Sequence, residues 1–285
     1  MTPSSEWSQS AMTSYEVVRK LAGAIVALAT VASALGLLLP GVYRDNAWVT
    51  AQNRGTDLVT LAVIVPATAI ALVADRYGSP RGRLVLFGLL GYFFYVYTGA
   101  SFAYTFNHLF LLYVALFSLS LFALLALGSR MNAPAVLAAF DARTPWRATV
   151  AFMLWLAVML CVIWLAQILP FYWTGEVPEG IRMADAQTMY VYVLDLGIVV
   201  PVAVLGALWL HRRRDWGPVL GAFILIKAAT IGMALLGMTW FLFRAGEPFD
   251  TGLAVLWGTI AVVGTLMSYW FLKHCRVDGG REEQR

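Results

Sequence analysis

Val191-Tyr192-Val193-Leu194-Asp195-Leu196-Gly197 opens one long apolar run, His211-Arg212-Arg213-Arg214-Asp215-Trp216 ends it, and Phe223-Ile224-Leu225-Ile226-Lys227-Ala228-Ala229-Thr230 sits inside the next. Each run between residues 190 and 243 is long enough, at about 1.5 Å per residue, for a helix to cross about 30 Å of hydrocarbon. The pair therefore reads as two membrane helices joined by a short basic turn. Asp195 and Lys227 are the two clearly intramembrane charges of the chain. Counted from the turn, their depths differ by roughly 6 Å, which a lysine side chain can span. Desolvating such groups is costly, so each is a functional candidate until a structural use is found.

Composition extends this reading to the whole chain. Of 285 residues, 60% are hydrophobic and 13% charged, against roughly 25% charged in a soluble domain. Further apolar runs lie at 21–40, 58–74, 84–104, 109–127, 148–170 and 251–272. The fold class is thus all-α, a polytopic helical membrane protein with eight transmembrane helices. Residues 1–18 read as a polar tail, 19–273 as the membrane domain and 274–285 as a second tail. Ala32-Ser33-Ala34 resembles a signal-peptidase site. The apolar run continues through Leu37-Leu38-Leu39, however, and 21–40 is kept as the first helix.

Lys and Arg set the orientation. Fifteen fall in the segments holding Arg19, Arg76, Arg130, Arg212 and Lys273, and only four (Arg44, Arg54, Arg182 and Arg244) fall in the alternate ones. This asymmetry places both termini in the cytosol and the chain in a cell (inner) membrane. A weak internal echo accompanies it: Val65-Pro66 and Val200-Pro201 each precede a basic, glycine–proline turn. Two four-helix halves of the same orientation, a 4+4 parallel repeat, would produce that echo.

Polar residues at helical spacing surround the opening pair. Thr188, Tyr192 and Asp195 share one face, as do Lys227 and Thr230. Asp57, Thr60 and Thr68 form a stripe entering from the opposite side, with Asp57 readable instead as a helix cap. Asn107, His108, Gln167 and Trp164 fall at the same membrane side and suggest an outer vestibule above Asp195. Gly88, Tyr92, Tyr95 and Gly99 share a helix, with Tyr113 on the next; such aromatics line a hydrophobic ligand or pack against small residues. Pro66 and Pro201 cannot donate to the carbonyls of Ala62 and Gly197, which leaves mid-depth acceptors or a plain kink.

The functional expectation is a transporter or intramembrane binding protein for a small solute, a hydrophobic ligand or a proton, using Asp195, Lys227, Tyr192, Thr230, Asp57, Thr60, Asn107 and Gln167. One alternative is an accessory, assembly or sensor subunit that docks on a membrane partner or on another copy of the chain. Another is an enzyme acting on lipid through Asp57, Asn107 and His108. A fourth makes Lys227 a Schiff-base lysine for an aldehyde, with Asp195 as counter-ion. No phosphate-binding loop, HExxH or nucleophile-elbow motif is present. With three histidines and two cysteines, neither a metal site nor a haem is expected. The short arginine cluster does not make a nucleic-acid surface.

Overall fold

A computed structural model of the chain describes residues 3–276, with side chains from Tyr15 onward. Among the described residues it is all-helical, and eight helices are long and apolar enough to cross a membrane. They are α1 (Pro3–Leu38), α2 (Ala47–Arg76), α3 (Pro80–Phe102), α4 (Phe110–Ser129), α5 (Trp146–Thr174), α6 (Tyr190–His211), α7 (Gly217–Arg244) and α8 (Thr251–Leu272). Most of the tail expected at 1–18 is therefore the first turns of α1, since a proline at a helix start forfeits no internal hydrogen bond. The distal tail beyond Arg276 lies outside the described residues.

The largest departure from the expected boundaries is α2, which begins eleven residues before Leu58. Asn46 caps it, its side chain accepting the Val49 N–H at 2.9 Å. The polar stretch that reads as a connection is helical because Asn53 and Thr56 turn inward and are buried. Polarity there marks a face toward protein, not a loop. Asp57 consequently sits inside the helix and caps nothing.

Both proline-bearing helices widen by one residue just before the proline. In α2 the segment Thr60–Ile64 is π-helical, and the Val65 N–H bonds the Thr60 carbonyl. In α6 the segment Asp195–Val199 does the same, and the Val200 N–H bonds the Asp195 carbonyl. A proline lacks the donor for the regular ladder, and a five-residue hydrogen bond is one way to absorb the mismatch.

The most buried of the eight helices are α3 and α7. Small residues let them approach: a Cβ on Gly88 would stand 2.7 Å from the Ile226 side chain, and one on Gly91 would strike the Phe223 ring. Helix α2 meets α7 more closely still, backbone to backbone, at Gly55 and Gly237. Where apolar lipid leaves little hydrophobic drive between helices, such approach supplies the packing energy.

Arginines at one end are fastened to protein as well as exposed to the interface. Buried Asp75 accepts Arg19 Nε at 3.0 Å and Arg83 Nε at 2.8 Å. The Arg213 guanidinium lies 3.7 Å above the Trp146 ring. Downstream of α8, Arg81 Nε donates to the Cys275 carbonyl at 2.6 Å, and the Arg276 N–H donates to the Ala139 carbonyl at 2.7 Å. These contacts hold the segment between α4 and α5 against the end of α8. At the other end, Asn46 Nδ2 donates to the Met183 carbonyl and the Thr105 N–H donates to Asp45.

Two outcomes follow. Gly55→Ala should cost about 1–3 kcal/mol by overpacking, while Gly23→Ala, with nothing within 4 Å of the added carbon, should be neutral; unfolding in detergent micelles compares them. Burial pushes the Cys275 thiol up to about 11, so little thiolate forms at neutral pH. A maleimide should leave Cys275 unmodified until the protein is denatured, as peptide mass mapping would show.

Candidate functional site

The π segment of α6 sets Asp195 at its first position, facing α3 and α5. Its carboxylate accepts two neutral donors: the Tyr95 hydroxyl bonds Oδ1 at 3.0 Å and the Trp164 indole N–H bonds Oδ2 at 2.9 Å. The residue is buried, as is Lys227 on α7. The Lys227 ammonium lies 3.1 Å from the centre of the Tyr95 ring and makes no hydrogen bond. Asp195 and Lys227 form no direct salt bridge; those among the described residues are at Asp75 and Asp141. Tyr95 instead joins them, its hydroxyl on the acid and its face on the base. The two charges thus share a neighbour without neutralising one another at contact.

Above Asp195 the aromatic column continues. Trp164 and Tyr192 rings lie 5.1 Å apart, and the Tyr192 hydroxyl donates to Gln167 Oε1 at 3.0 Å. Tyr192 also lines a groove of about 350 Å³ with Ile168, Phe171, Val177, Pro178, Ile181, Gln187 and Thr188. A mostly apolar groove thereby meets the tyrosine that packs on Trp164, a donor to the buried acid.

The other residues singled out from sequence have different uses. Thr230 bonds back to the Ile226 and Lys227 carbonyls of its own helix. Thr60, first in the α2 π segment, shares a 2.8 Å hydrogen bond with the Tyr92 hydroxyl. Asn107 is spent on the turn before α4, donating to the Thr105 carbonyl and accepting the Leu109 N–H. His108 is exposed, and neither residue hydrogen-bonds Asp57. The single vestibule expected from sequence resolves into two clusters, because Gln167 and Trp164 join Asp195 while Asp57 joins α1.

Asp57 reaches across to α1 over Gly36, where any side chain would collide with it, and accepts a hydrogen bond from Tyr43. Tyr43 stands in the connection between α1 and α2. Burial, then the neighbouring Asp57, push its phenol well above the ordinary value, so it stays a hydroxyl donor. Sequence reading missed Tyr43 and Gly36: a loop tyrosine and a helix glycine carry no periodic signal. Tyr95 was visible only as one of several aromatics on α3.

The geometry separates the two charges energetically. Asp195→Ala leaves the Tyr95 and Trp164 donors unpaired and should cost on the order of 1–3 kcal/mol. Lys227→Met removes an amine that has no hydrogen-bond acceptor and should stay within about 1 kcal/mol of wild type. Equal losses in micelle unfolding would make Lys227 a structural partner instead.

Comparison of the chain with protein-family models, with curated proteins and with solved structures finds no match.

Proposed function

We propose that the protein is a carrier, or an intramembrane binding protein, for a small solute that presents a hydrogen-bond acceptor to Lys227, with Asp195 as the group that exchanges a proton during the cycle. The observation that carries this reading is the Lys227 amine, buried and without a hydrogen-bond acceptor beside an acid it does not touch. A pair that served only helix register would gain most by closing on itself, since an unpaired buried charge is expensive. An open amine is instead ready for a third party. The apolar groove beside Tyr192 gives such a solute an approach from the membrane surface.

Protonation of Asp195 would be felt at Lys227 through one residue. The carboxylate only accepts, and Tyr95 and Trp164 only need to donate to it. Once Asp195 carries a proton on Oδ1, that oxygen can donate and the Tyr95 hydroxyl can rotate its proton away to accept. The same step removes the negative charge that acts on the Lys227 ammonium across the Tyr95 ring. Binding and protonation are thereby linked without a direct contact.

A 4+4 parallel repeat is part of this proposal, and several correspondences support it. Thr60 and Asp195, 135 positions apart, each open a π segment before Val-Pro. At the same offset, Tyr77 (φ −87°, ψ 14°) matches Arg212 (φ −85°, ψ 7°). The left-handed Gly78 likewise matches the left-handed Arg213. Phe223 is then the counterpart of Gly88, and Ile226 that of Gly91. Their contacts are reciprocal, Gly88 with Ile226 and Gly91 with Phe223, as a two-fold relation requires. Tyr92 is the counterpart of Lys227, so the charged centre belongs to one half alone. The arginine-rich end faces the cytosol in this proposal, in an inner membrane, following the positive-inside bias.

Proteoliposomes offered a panel of radiolabelled small carboxylates, phosphate esters and amides test the proposal. Wild type should accumulate at least one. Asp195→Asn should flatten the pH dependence of its uptake, and Lys227→Met should weaken it about tenfold, the equivalent of about 1.4 kcal/mol. Uptake unchanged in both variants removes the proposal.

A further inference from the structure

A second acid, Asp57, is half-buried and lies in a setting unlike that of Asp195. No lysine or arginine pairs with it among the described residues. Arg54, one turn away on α2, is outside salt-bridge distance, and its Nε is buried without a hydrogen-bond partner. The carboxyl accepts from the Tyr43 hydroxyl in the connection after α1, and Tyr92 and Tyr97 from α3, Tyr104 from the segment after it and Tyr113 from α4 lie within electrostatic range of it. From α1 come Gly36 and Ser33, neither charged. The Ser33 and Tyr113 hydroxyls are 0% and 3% exposed and have no hydrogen-bond partner.

These rings also form a continuous path. Tyr43 and Tyr104 centroids are 5.9 Å apart, Tyr104 and Tyr113 are 5.8 Å apart, and Tyr97 and Tyr113 are 6.3 Å apart. The Tyr113 hydroxyl itself makes no hydrogen bond, and Asn107 is spent on its own turn. A hydroxyl can accept one proton while donating another. Asp57 and Tyr43 therefore set a carboxyl against a hydroxyl that stands in the connection between α1 and α2, at the surface opposite the Asp75 cluster. A site that only packed would not leave the Ser33 hydroxyl idle one turn from Gly36, over which Asp57 lies, because an unmade bond is costly in a medium without water.

We infer that Asp57 is a proton-binding site in its own right, loaded and emptied through the Tyr43 hydroxyl from the surface at which α1 connects to α2. Loading adds one proton to an Asp57 carboxylate oxygen. The Tyr43 hydroxyl takes up one proton and passes on one, so the tyrosine acquires no net charge. Burial without a pairing cation favours the neutral form of any carboxyl, and Tyr43 accommodates both forms by donating to the anion or accepting from the acid. The inference does not rest on the reading of Asp195 and survives if no solute is carried.

Infrared difference spectroscopy of the full chain in lipid nanodiscs, between mildly acidic and alkaline buffer, tests it. Wild type should show the carbonyl stretch of a protonated carboxyl that grows on acidification. The part of the band contributed by Asp57 should be lost in Asp57→Asn and persist in Asp195→Asn. Absence of the band, a band indifferent to pH, or its loss only in Asp195→Asn overturns the inference. If Asp57→Asn does not fold, Asp57→Glu must shift the band, and an unmoved band is equally fatal. Tyr43→Phe should keep the band but slow its hydrogen–deuterium exchange about tenfold or more; an unchanged rate overturns the relay. Flux of solute in proteoliposomes is a separate readout, so failure of the carrier proposal and failure of this one are distinguishable.

Discussion

In hydrocarbon every backbone donor and acceptor must find its partner within the protein, and at two places this chain has removed a donor. Pro66 and Pro201 sit inside helices that must remain closed to lipid. The response at both is one wider turn, Thr60–Ile64 and Asp195–Val199, ending in a hydrogen bond to the carbonyl five residues back. The side chains at the head of those turns, Thr60 and Asp195, are the ones presented to Tyr92 and Tyr95 of α3. Helix α3 can serve both because its glycines let α7 lie against it. The polar interior thus descends from a defect in two backbone ladders.

Three acids, two buried and one half-buried, show how depth decides the partner. Asp75, at the arginine-rich end, takes two guanidinium groups whose side chains are 27% and 26% exposed. Their charge reaches water while their stems stay in apolar surroundings. Farther from that interface, a second buried charge would add several kcal/mol of desolvation. Asp57 and Asp195 are given neutral donors instead, from Tyr43 in one case and from Tyr95 and Trp164 in the other. The first solution makes a fixed anchor. The other two leave carboxyls held by neutral donors, with no salt bridge among the described residues.

The architecture was largely legible in the sequence, since a run of about twenty apolar residues has few other uses. The start of α2 was not, because Asn53, Thr56 and Asp57 resemble a loop unless the helix around them is surrounded by other helices. Hydropathy measures contact with lipid, and that face never meets lipid. The site was legible in its charges and in their similar depth, both one-dimensional properties. Which residue stands between Asp195 and Lys227 is a matter of helix rotation, and Tyr95 looked no different from Tyr92 one turn away. Tyr43 was hidden for another reason: its contact with Asp57 depends on a connection folding back over α1.

The contacts made just beyond α8 bear on how the molecule is completed. Arg81, at the start of α3, donates to the carbonyls of Lys273 and Cys275, and the Arg276 N–H closes on Ala139 between α4 and α5. These partners are separated by well over a hundred residues of chain, so the downstream half of each contact is made long after the upstream half. Until then Arg81 and the Ala139 carbonyl lack these partners. Membrane insertion can therefore run helix by helix, while that end closes only after the residues that follow α8 have been made.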